Sequence, residues 1–100
     1  MNKQNEFISI LKEVISCAQI EIKNINSGKE SSWTAEQIEV VLSEISELLS
    51  YALKGMVFYK YGEKQRLLES SYIMTDSLMN LNRTTLGKQI LELQKLYNKL

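Results

Sequence analysis

The sequence predicts an all-α protein, a single-domain up-and-down bundle of about four amphipathic helices, and three observations carry that expectation. Apolar residues recur at three- and four-residue spacing through every long segment, which gathers them on one face of a helix. Proline is absent and glycine occurs only four times, so the chain has few obligatory breaks. The one segment that favours extended structure, Met56 to Tyr61 with Val57, Phe58, Tyr59 and Tyr61, would have no partner strand. At 100 residues the chain suits a single core built without disulfides or metals.

The first helix is expected over 3–25. Phe7, Leu11, Val14, Ala18, Ile22 and Ile25 share one face, widened by Ile8 and Ile15, and Ile20 falls well outside it. Asn2 or Asn5 is placed to cap it. Residues 26–32, small and polar around Gly28, read as a loop.

The second helix is expected over 35–60, and its start carries the sharpest local signal. Thr34 with Gln37 fits a capping box, and Trp33 with Ile38 fits a hydrophobic staple. Ile38, Val41, Leu42, Ile45, Leu48, Leu49, Ala52 and Leu53 form one stripe. Gly55 offers a stop, while Met56 and Tyr59 continue the stripe, which leaves two ends open for this helix, at the glycine or through it toward Gly62.

The third helix is expected over 63–81, with Leu67, Ser71, Met74, Leu78 and Leu81 at alternating four and three spacing. Asn82 to Thr85 then supplies a stop and a new N-cap. The last helix, over 86–99, places Leu86, Ile90, Leu93 and Tyr97 on one face, with Leu100 continuing it. The short link makes it an antiparallel neighbour of the third.

Composition argues against most catalytic chemistry. The chain has no histidine, one cysteine and one aspartate, so no catalytic residue, metal ligand or cofactor-binding residue is assigned. Glu36/Glu39 and Glu44/Glu47 have three-residue spacing but lie off the core stripe, where a solvated face explains them. Cys17 has no partner for an internal disulfide, which fits a reducing, cytoplasmic setting. It lies at the edge of the first helix's apolar face, flanked by Glu13 and Glu21, which would raise rather than lower a thiol pKa. Val14 to Cys17 resembles a lipoprotein cleavage box, but Lys12 and Glu13 leave too short an apolar core ahead of it. No apolar run approaches the roughly 20 residues that span a bilayer.

Charge directs attention to a binding surface. Twelve acidic and twelve basic side chains cancel overall, yet Glu30 to Leu53 holds five glutamates and no Lys or Arg. The segments from Lys54 to Arg66 and from Arg83 to Leu100 are basic by a net three charges each. On the second helix, Glu36, Val40, Glu44, Glu47 and Tyr51 share the side away from the core. An outward Val and Tyr among carboxylates suit a protein-binding face whose partner has a basic surface. Central packing of that helix is the alternative account of Val40 and Tyr51.

In size and helical pattern the chain resembles small bacterial immunity proteins, and no motif ties that likeness to particular residues. It implies a non-enzymatic module that neutralises or regulates a protein partner, of the immunity-protein, antitoxin or phage-encoded inhibitor type. A Lys-, Asn- and Ile-rich composition fits a low-GC bacterium or its phage. The alternatives are a self-assembling structural subunit, and a small nucleic-acid-binding regulator using Lys54, Lys60, Lys64 and Arg66 around Phe58, Tyr59 and Tyr61. Zero net charge and the lack of a basic recognition helix argue against the last.

Overall fold

Gln4 and Ala52 are 48 residues apart in sequence, yet the Gln4 side-chain amide donates to the Ala52 carbonyl at 3.1 Å, tying the start of one helix to the end of the next. The computed structural model describes residues 3–55, 67–75 and 79–99. Among these, α1 (Lys3–Asn26), α2 (Ala35–Leu53), α3 (Glu69–Thr75) and α4 (Thr85–Asn98) are α-helical, Leu81–Arg83 forms a 3₁₀ turn, and there is no strand.

Three contacts set the directions. Besides the Gln4 bond, the rings of Phe7 and Tyr97 lie 6.2 Å apart, so α1 starts where α4 ends. Trp33 Nε1 donates to Thr84 Oγ1 at 3.0 Å, so α2 and α4 start at the same end. α1 packs on α2 and α4, and α3 packs on the same two helices. The protein is therefore an all-α, up-and-down bundle.

The core follows from the apolar stripes. Phe7, Leu11, Val14 and Ala18 of α1 meet Ile38, Val41, Ile45, Leu48 and Ala52 of α2 and Leu86, Ile90, Leu93 and Tyr97 of α4, all buried. Ile20, the outlier on the α1 wheel, is exposed.

The boundaries have local causes. α1 ends in a Schellman motif, in which Gly28 N–H donates to Ile25 O at 3.0 Å and Lys29 N–H to Asn24 O at 3.0 Å. α2 begins with the complete capping box, Gln37 N–H to Thr34 Oγ1 at 3.1 Å and Thr34 N–H to Gln37 Oε1 at 2.9 Å. The staple pair, Trp33 and Ile38, is buried beside it.

Two expected helices are revised. The second does not pass through the glycine: it ends at Leu53, and Gly55 sits at φ 76 with its N–H on Ala52 O, a left-handed cap that breaks the register. Periodicity pointed past the stop because Met56 and Tyr59 extend the stripe; both residues, with the rest of 56–66, lie outside the described residues. The third helix, within the described residues, covers only Glu69–Thr75; Met79 and Asn80 are not helical, and Leu81 enters the core from the 3₁₀ turn.

Candidate protein-binding surface

α2 displays its side chains in three bands. Ile38, Val41, Ile45, Leu48 and Ala52 fill the core, while Leu42 and Leu49 pack against its edge. On the opposite side Glu36, Glu39, Val40 and Glu47 are exposed, separated by exposed Ser43, Ser46 and Ser50. Val40 keeps 37% of its surface accessible, so it is an apolar spot within a carboxylate ridge.

The other two residues of the expected face, Glu44 and Tyr51, lie on the flank between ridge and core, both half-buried. Glu44 faces the start of α3. Its Oε2 accepts from Glu69 N–H at 2.8 Å, and its Oε1 accepts from Ser70 N–H at 2.8 Å and from Ser70 Oγ at 2.7 Å. A carboxylate suits this position because the opening N–H groups of a helix lack intrahelical acceptors and carry partial positive charge. Glu44 is therefore a tether. Tyr51 is covered on one side by Lys54, whose Nζ lies 6.0 Å from the ring centroid. Of the five expected residues, Glu36, Val40 and Glu47 form a solvent-facing set, while Glu44 and Tyr51 are half-buried on its flank, Glu44 engaged by α3.

Gln94 holds α3 from the other side, a role the sequence did not signal. Its Oε1 accepts from Leu68 N–H and from Ser71 Oγ, both at 2.9 Å, while its Nε2 donates to Asn98 Oδ1 at 2.9 Å. Ser70 and Ser71 are buried, and these acceptors satisfy both hydroxyls. α4 comes close to the 3₁₀ turn through Gly87, where a Cβ would stand 1.9 Å from Leu81 O.

Cys17 is half-buried, and its thiol is held above the ordinary range first by burial and second by the neighbouring Glu21 carboxylate. A thiol so perturbed is a poor nucleophile. Glu21 is engaged as well, accepting a hydrogen bond from Ser31 Oγ, which in turn accepts from Trp33 N–H at 3.0 Å. Among the described residues no group of His, Cys, Asp and Glu side chains is placed to hold a metal ion. Nor is any described helix long and apolar enough to cross a membrane. The basic aromatic cluster proposed for nucleic acid lies, apart from Lys54, outside the described residues.

Comparison with protein-family models, curated proteins and solved structures finds no match to this chain.

Proposed function

We propose that this protein is a non-enzymatic binding module of the immunity-protein, antitoxin or phage-encoded inhibitor type, which neutralises or regulates a protein partner by laying the outer ridge of α2 against a basic surface. The observation that carries the reading is the ridge itself. Glu36, Glu39 and Glu47 are exposed around an exposed Val40 on a helix with no Lys or Arg. Carboxylates in such a row accelerate encounter with a cationic partner and fix its orientation, while a small apolar spot at the centre adds desolvated contact.

Rigid mounting supports the reading. The capping box fixes one end of α2, the Gln4 bond fixes the other, and its inner face is buried throughout, so the ridge loses little entropy on docking. In cells that make the protein, partner capture by the parent should fall with rising salt and drop about tenfold or more for Glu36→Lys/Glu47→Lys. Val40→Asp should weaken it further without altering the fold. Undiminished capture by folded variants would refute the ridge as the interface.

A further inference from the structure

The groove between α1 and α4 forms a second acidic surface, away from the α2 ridge. Two shallow, open depressions of about 520 and 390 Å³ lie along it and share Ser9 and Glu13, so they form one continuous trough. At the end nearer the N-terminus of α1 the trough is lined by Glu6, Glu13 and Glu92 over Ile10 and Leu96. At the other end it is lined by Cys17, Gln89 and Ile20, the last 62% exposed. Lys12 is the one cation among the described lining residues.

The spacing of these residues is that of a helix seam. Glu6, Glu13 and Ile20 follow one another at seven residues, as do Ile10 and Cys17 one position inward, and a seven-residue repeat runs straight along a helix beside a packed neighbour. From Glu6 to Ile20 the seam is about 21 Å long, about four helical turns. Ser9, Ser16 and Cys17 keep its walls low. Gln89 adds a polar group, since its Oε1 is buried with no hydrogen-bond partner among the described residues and its terminal amide turns through a soft torsion.

We propose that this trough receives one basic amphipathic helix from a partner protein, with two cations seven residues apart meeting Glu6 and Glu13 and its apolar stripe lying on Leu96 and Ile20. Phosphate backbones are repelled by the same carboxylates. A second copy of this chain is a poorer occupant: the outer ridge of α4 offers Lys88 and Lys95 at the matching spacing but carries Glu92 between them, with Leu91 as a single exposed apolar residue rather than a stripe.

The probe is a fluorescein-labelled amphipathic peptide of about 16 residues, with leucines at helical spacing and two lysines seven apart, compared with the same peptide carrying glutamates there. Fluorescence anisotropy at low salt should show the lysine peptide binding about tenfold or more tighter. Glu6→Lys/Glu13→Lys should exchange that preference, Ile20→Ser should weaken both peptides, and Glu30→Lys in the α1–α2 loop should change neither. Amide shifts in ¹⁵N spectra should cluster on α1 and α4. Equal binding of both peptides, an unchanged preference in the double variant, shifts confined to α2, or light scattering that shows self-association lost in Glu6→Lys/Glu13→Lys would each overturn the proposal. These variants leave the α2 ridge intact, so this test and the capture test fail independently.

Discussion

Replacing Glu44 by Ala separates the structural role of this carboxylate from the surface role its sequence position suggests. The described part of α3 is seven residues long, and isolated helices shorter than about 12 residues are marginal. Its position rests on buried Leu68, Ser70, Ser71 and Met74 and on two anchors, Glu44 and Gln94. Removing the carboxylate strands Ser70 N–H and Ser70 Oγ in the buried interior, whereas Glu69 N–H is exposed enough for water to replace its acceptor. A buried group left unpaired costs about 1–3 kcal/mol, so the loss of Glu44 should destabilise the fold by about 2–4 kcal/mol. For a domain of this size that lowers Tm by about 10–25 °C. Glu44→Gln keeps one acceptor and gives up the charge, and should lose about half as much. Urea titration followed by circular dichroism measures both, and hydrogen exchange at Ser70 and Ser71 should accelerate ahead of the amides of α1. Stability within about 0.5 kcal/mol of the parent, with unchanged exchange in α3, would refute the tether.

Other substitutions probe the same framework. Gly87→Ala should gain nothing from helix propensity, which alone favours Ala by about 1 kcal/mol, because the added methyl meets the backbone at Leu81; thermal melting should show a net loss of about 2 kcal/mol or more. Thr34→Ala removes half of the capping box and should cost about 1 kcal/mol by the same measurement. Trp33→Phe leaves Thr84 Oγ1 without the indole donor and empties part of a buried site, for a loss of about 1–2 kcal/mol. Alkylation of Cys17 by iodoacetamide should be slower than that of a free thiol at pH 8, since a raised pKa leaves less thiolate, and should climb as pH increases; Glu21→Gln removes the smaller cause and should quicken it modestly.

Much of the fold was legible because local rules and tertiary packing agree. Thr34 and Gln37 form the capping box that their spacing announces, and the stripes of α1, α2 and α4 are the faces that pack inward, except for Leu53, which is exposed where α2 ends. Disagreement arises where a residue answers to something distant in sequence. Glu44 falls on the outer half of its wheel, but the start of α3, 25 residues on, supplies N–H groups that draw it aside. No periodicity in α2 contains that information. Gln94 and Gly87 were silent for the same reason: one is defined by the hydroxyl and amide it receives from α3, the other by the 3₁₀ turn against it. Gly55 is a different case, since its apolar successors suggested continuation and only its left-handed conformation shows the stop. The exposed part of the candidate surface, Glu36, Val40 and Glu47, could be read because its residues stay on the solvent side that their wheel positions give them.

Carboxylate footprinting tests the proposed docking ridge most directly. Carbodiimide-coupled labelling, read by mass spectrometry, is applied to the free protein and to its complex with the captured partner. Glu36, Glu39 and Glu47 should label readily when free and become protected in the complex, with Glu44 labelled weakly in both because its oxygens are engaged by α3. Equal labelling of Glu36, Glu39 and Glu47 with the partner present and absent would contradict the ridge as the docking surface.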